Sequence, residues 1–156
     1  MRLPEYPGPH LVPHRRPLPR PPHQVRELEF AQMRRAFHRT GGLAGGDEFA
    51  GRLGERLQQP VSHVARCIRS LQVPSFPWHT QPLLPLFQFD AIELTPSPSA
   101  SAVVQELAGA LVDWDMALWF IRPNHLLDDE APMDALAADP ASVLSAARAE
   151  RFFACG

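Results

Sequence analysis

Eighteen prolines in 156 residues limit what this chain can fold into. Each one removes a backbone donor and fixes φ, so it is tolerated at a first helical turn, in a turn or in an extended segment, but not inside a helix. They are unevenly placed. Eight fall in residues 1–26, "MRLPEYPGPHLVPHRRPLPRPPHQVR", with five Arg, three His and almost no periodic apolar residue. The expectation there is an extended or polyproline arm, either a basic arm that touches phosphate or a partner, or an unstructured leader. Later prolines act as punctuation. Pro60, Pro132 and Pro140 suit the first position of a helix, where the missing N–H would be unpaired anyway, and Pro123 suits the end of one.

Between these marks the apolar spacing predicts helices. "ELEFAQMRRAFHR", from Glu27, carries a loose stripe of Leu28, Met33 and Phe37 and stops at Gly41 and Gly42. In "DEFAGRL" the residues Phe49, Ala50 and Leu53, with Leu57 beyond, fall at one-turn spacing, and Asp47 and Glu48 stand at the front, where the helix dipole favours anions. After the break "QQP", Val61, Val64, Ala65, Ile68 and Leu71 form the expected inner stripe of a further helix. Its other side presents Ser62, His63, Arg66, Arg69 and Ser70.

Two short helices across a tight break, the second with an Arg-bearing outer face, describe a helix-turn-helix, whose second helix can enter the major groove. There Arg can donate two bonds to guanine and hydroxyls can reach bases or phosphates. A generic amphipathic pair would show the same stripe. The next segment, "VPSFPWHTQPLLPLFQFD", alternates Phe76 with Trp78 and Phe87 with Phe89 around a turn-like "HTQP". This predicts a short hairpin with its prolines at edge positions, the layout of a winged helix, with His79 at the tip facing either DNA or solvent.

After the spacer "TPSPSAS" come three helical stretches, marked by Val103, Val104, Leu107 and Leu111, by Met116, Trp119 and Phe120, and by Val143, Leu144, Ala146 and Ala147. Ser99 or Ser101 and Asp139 are the expected N-caps. The fold class is therefore mainly α: a helix-turn-helix with a short β-hairpin wing, followed by a small C-terminal helical domain. The expected organisation is an arm over 1–26, the helix-turn-helix module over 27–90, a linker over 91–100 and the helical domain over 101–156.

Charge divides the same way. Residues 1–73 hold 12 Arg against 6 acids, residues 74–89 hold no charge, and residues 90–156 hold 3 Arg against 11 acids. A basic half beside an acidic half suggests two surfaces with different partners, nucleic acid being the natural one for the first. All fifteen basic residues are Arg, a bias that a GC-rich genome produces as readily as any chemistry.

Cys67 and Cys155 are too few for a disulfide framework. His63 and Cys67 stand one helical turn apart, as a metal pair would need, but no second pair completes a tetrahedral site. There is no Gly-rich phosphate loop, no Gly-x-Ser-x-Gly and no paired His ligand set, so no enzyme activity, metal or cofactor is expected. With no signal-peptide pattern and no apolar run near membrane length, the expectation is a cytoplasmic protein without a membrane partner.

The segment "WFIRPNHLLDDEAPMDALAADPASVLSAA" resembles the C-terminal toxin-binding domain of the MbcA/ParS/Xre antitoxins. The pattern is an aromatic-ended helix (Trp119, Phe120), Pro123-Asn124, a Leu at 126 or 127, then Pro132, Met133, Asp134 and Leu136, and a closing helix from Val143. The match covers roughly residues 101–153. Asp128, Asp129 and Glu130 stand where the family has a small turn, often with Gly. The resemblance implies an antitoxin that binds operator DNA, autoregulates its operon as a homodimer and neutralises a RES-type toxin linked to nicotinamide dinucleotide consumption. Asn124 and Asp134 belong to the implied toxin-binding motif, and Arg148, Arg151 and Phe152 would cover the toxin's active-site mouth. A DNA-binding regulator without a toxin, its C-terminal helices serving only to dimerise, is the alternative. Asn124 is expected to hold its turn and Asp134 to bond local backbone donors.

Overall fold

The computed structural model describes residues 23–156. The expected arm therefore lies outside the described residues except for its last four, and these are helical: α1 spans His23–His38, starting four residues before the expected Glu27. Helix α1 ends as the glycines predict. Gly41 and Gly42 adopt φ of 101° and 90°, and the Gly42 N–H reaches back 2.8 Å to the Phe37 carbonyl. Met33 and Phe37 are fully buried, but Leu28 is 67 % exposed. Phe30 takes its place on the stripe and stacks on Trp78 at 3.8 Å.

The chain continues through β1 (Leu43–Gly45), α2 (Gly46–Leu53), α3 (Pro60–Arg69), β2 (Phe76–Trp78) and β3 (Gln81–Pro85). After a 3-10 turn at Leu86–Gln88 come α4 (Pro98–Leu107), α5 (Asp113–Ile121), a second 3-10 turn at His125–Leu127, α6 (Pro132–Ala135) and α7 (Pro140–Cys155). The described residues are thus mainly helical with one small antiparallel sheet. The hairpin forms, but its return strand is Gln81–Pro85; Phe87 falls in the 3-10 turn after it and Phe89 just beyond that turn.

The sheet has the order β1-β3-β2, so the hairpin's return strand is central and β1, which periodicity did not reveal, closes its other side. Successive side chains on a strand point to opposite faces. Here that alternation makes the sheet a wall between two apolar clusters. Leu83, its register partner Phe76 and the partly buried Leu43 face one cluster; Leu84 and its partner Ala44 face the other. The second cluster holds Phe49, Ala50 and Leu53 of α2 with Val64 and Cys67 of α3. The first holds Met33 and Phe37 together with the inner faces of α4, α5, α6 and α7.

Helix α1 therefore packs on α5 and shares a core with the C-terminal helices, across the boundary expected near residue 90. Polar links reinforce this docking. The Trp114 indole N–H donates to Glu29 Oε2 at 2.8 Å, Arg122 meets the other Glu29 oxygen at 3.3 Å, and the Arg26 guanidinium lies 4.9 Å from the Trp114 ring centroid. Helix α5 is apolar almost all round, with Trp114 and Met116 through Phe120 buried, which places it at the centre. Gln88 is fully buried and donates to the carbonyls of Pro74 and Pro85 at 3.0 and 2.7 Å, pinning the hairpin's ends together.

The caps follow the prolines. Asp139 accepts from the Ser142 N–H at 3.0 Å and its hydroxyl at 2.6 Å, with Pro140 opening α7. Pro98 opens α4 in the same manner, so the cap there is Ser97 rather than Ser99 or Ser101. Ser101 instead donates its hydroxyl to the Gln72 carbonyl at 2.6 Å. No helix among the described residues is long and apolar enough to cross a membrane.

Candidate functional site

Helix α3 is held by Val64, Cys67 and the partly buried Ile68. This face is turned toward Cys67 relative to the expected stripe: Val61 is 62 % exposed, and Ala65 and Leu71 are exposed as well. Leu71 leaves the stripe because the helix has already ended. Its φ is 53°, and the N–H groups of Leu71 and Gln72 bond back to Ile68 and Cys67 at 3.2 and 3.0 Å, a left-handed helix stop built on a leucine.

The five residues expected to face DNA separate into two groups. Ser62, Arg66 and Arg69 recur at helical spacing and are all exposed. Neither arginine has an ion-pair partner among the described residues. Ser70 directs its hydroxyl to the Arg66 and Cys67 carbonyls at 2.8 and 3.3 Å, and His63 is half-buried with Nε2 3.6 Å from the Cys67 sulfur. Burial raises the Cys67 thiol's pKa, the nearby Arg66 charge opposing it more weakly. A thiol shifted in this direction is a weaker nucleophile than a free one. Among the described residues no group of three or more His, Cys, Asp or Glu could hold a metal ion. His79 stands exposed at the hairpin turn with φ of 53° and its ring 4.8 Å from that of Trp78.

The C-terminal candidates are mostly engaged within the fold. Pro123 stops α5 after Ile121, and Asn124 Oδ1 accepts from the Leu126 N–H at 2.9 Å, closing the turn as its residue type suggests. The acidic triplet closes the same loop: Asp128 and Asp129 both have positive φ, 54° and 62°, and Asn124 and Glu130 form an antiparallel bridge. Pro132 opens the one-turn α6, with Met133 and Leu136 buried. Asp134 does not bond local donors. It pairs with Arg39 just past α1 at 2.9 Å, a contact 95 residues away in sequence and so invisible to local spacing.

Arg148 and Arg151 both reach Glu106 of α4, at 3.7 and 2.9 Å, and with Phe152 and Cys155 they rim a shallow hollow of about 410 Å³. Phe152 and Phe153 stand 74 % and 76 % exposed, edge to face at 5.8 Å. The structure thus brings Arg148, Arg151 and Phe152 together. Asn124 lines a separate cleft with Trp119 and Glu150, and Asp134 lies apart from both. Glu106, Glu29 and Phe153 were not expected from the sequence. Only Phe153, next to Phe152 on an otherwise polar helix end, left a local signal.

Comparison with known protein families, with curated proteins and with solved structures returns no match.

Proposed function

We propose that this chain is a non-catalytic regulator of the antitoxin type, acting in the cytoplasm, which binds operator DNA through α3 and a protein toxin, of RES type by resemblance, through the end of α7. The observation that carries the first half is the stripe of Ser62, Arg66 and Arg69, exposed and with both arginines free of acidic partners among the described residues. Unpaired guanidinium groups on one helix face are what phosphate and guanine contacts require. The packing of α2 on α3 and the hairpin directly after them support the helix-turn-helix and wing reading. A homodimer would present two such helices to paired half-sites.

For the second half, the support is the exposed Phe152–Phe153 pair beside Arg148 and Arg151, an aromatic and Arg cluster of the kind that anchors protein interfaces. The left-handed Asp128 and Asp129 also place glycine-like backbone where the antitoxin pattern has its small turn. The alternative, a DNA-binding regulator without a toxin, draws on the same exposed pair, which would then serve dimerisation.

The test is an affinity pull-down of the full chain from its native host, with mass spectrometry of the proteins and sequencing of the DNA recovered. Recovery of a toxin, lost in F152A/F153A, together with promoter DNA supports the proposal. Promoter DNA alone supports the alternative, and neither overturns both.

A further inference from the structure

An open cleft of about 750 Å³ lies between the second half of α1 and β1. Its volume is that of a small-molecule site rather than a packing gap. Phe30, Arg34 and His38 succeed one another at intervals of four on α1, so they form one edge of the cleft, with Arg35 beside them. The opposite wall is apolar, made by Leu43 and Leu83. Gly41 and Gly42 floor the turn between the walls, and beside Gly42 the space a side chain would fill is open, so a ligand can approach the backbone there.

Charge in this cleft is unbalanced. From Ala31 to Thr40 the chain carries Arg34, Arg35, His38 and Arg39 and no acid. Arg39 is neutralised by Asp134, but among the described residues neither Arg34 nor Arg35 has an ion-pair partner and no acid lines the cleft. Most other arginines of the described residues are paired: Arg52, Arg56, Arg122, Arg148 and Arg151 all meet a glutamate.

We infer that this cleft binds an organic phosphate of nucleotide size, with Arg34 and Arg35 holding the phosphates and the apolar wall receiving the ring. Guanidinium groups suit phosphate because their forked donors match two oxygens at once. The Phe30 ring and the two leucines supply the apolar surface that inorganic phosphate would leave uncovered. This site is separate from α3, so its existence stands or falls independently of DNA binding.

The experiment is isothermal titration calorimetry of the full chain with adenosine diphosphate, repeated with inorganic phosphate. The expected result is saturable binding of one nucleotide per chain, weaker binding of inorganic phosphate, and a loss of about a hundredfold in R34A/R35A, roughly tenfold for each charge-assisted contact. Both arginines are exposed, so the variant folds, and its own melting curve checks this. R66A/R69A leaves nucleotide binding unchanged. No saturable heat from the nucleotide, equal affinity for inorganic phosphate, or undiminished binding in R34A/R35A each overturns the inference. The first of these results would leave Arg35, in the last turn of α1, as a partner of the helix dipole alone.

Discussion

Replacing Glu29 with Ala tests the docking of α1 onto the C-terminal helices. Glu29 is 17 % exposed and makes two contacts there, accepting from the Trp114 indole at 2.8 Å and meeting Arg122 at 3.3 Å. Trp114 is only 5 % exposed, so the substitution orphans a nearly buried donor, at about 1–3 kcal/mol. The Arg122 contact adds little, roughly 0–1 kcal/mol, because that guanidinium is 60 % exposed. The expected loss is about 2 kcal/mol, a large share of the roughly 5–15 kcal/mol typical of a domain. Glu29→Gln keeps an acceptor for the indole and should lose less than half as much. Urea unfolding monitored by tryptophan fluorescence reads the change as a midpoint shift of about 1 M at an ordinary slope. In a Trp114→Phe background the same substitution should cost about 0.5 kcal/mol or less, since the two residues act through one bond. A loss within about 0.5 kcal/mol in the otherwise unaltered chain, or no coupling between the two positions, would refute the reasoning.

The same geometry sets three further outcomes. Because Arg66 and Arg69 are exposed and unpaired among the described residues, R66A/R69A should leave stability within about 0.5 kcal/mol while reducing the salt slope of the proposed DNA binding by roughly 2 in log–log units; an unchanged slope removes α3 from the interface. Leu71→Gly should stabilise the chain by about 0.5–1 kcal/mol, since a left-handed leucine carries a Cβ clash that glycine lacks; a lower melting temperature would mean that the Leu71 side chain contributes packing its 45 % exposure conceals. Asp139 is held below its ordinary pKa by the Ser142 hydroxyl and N–H, and Asp90 by the N–H groups of Glu93 and Ile92. A depressed carboxylate stabilises the fold above its unfolded pKa, near about 4, and that contribution is lost as pH falls through the lower folded value. D90N/D139N should therefore flatten the acid limb of the stability profile measured by thermal melts, and an unaltered limb would contradict the assignment.

The helix-boundary prolines and the Asp139 cap were legible because their effects are local. Pro60, Pro132 and Pro140 open helices, Pro123 closes one, Asp139 caps α7 and Asn124 holds its turn, each through a φ restriction or a hydrogen bond within a few residues. The exposed stripe of Ser62, Arg66 and Arg69 was legible for the same reason, since one helical turn fixes which residues lie together. Local spacing could not show how far the inner face of α3 turns toward Cys67 and away from Val61. Both Cys67 and Val61 are apolar enough to be buried, and contact with α2 chose Cys67.

By itself, then, the sequence determined a mainly helical chain, where most helices begin and end, and the Asp139 cap of α7, though not the Ser97 cap of α4. The tertiary structure decided what those helices touch. Leu-Ala-Gly at 43–45 is too short to announce a strand, and becomes one because β3 offers an edge to pair with. The alternating faces of that sheet then sort the apolar residues into two clusters, and so carry α1 away from α2 and α3 to the C-terminal helices. Asp134 meets Arg39, and Glu106 meets Arg148 and Arg151, only because that packing has already brought distant segments together. Such pairings depend on which surfaces the core leaves adjacent, and no periodicity within a segment encodes them.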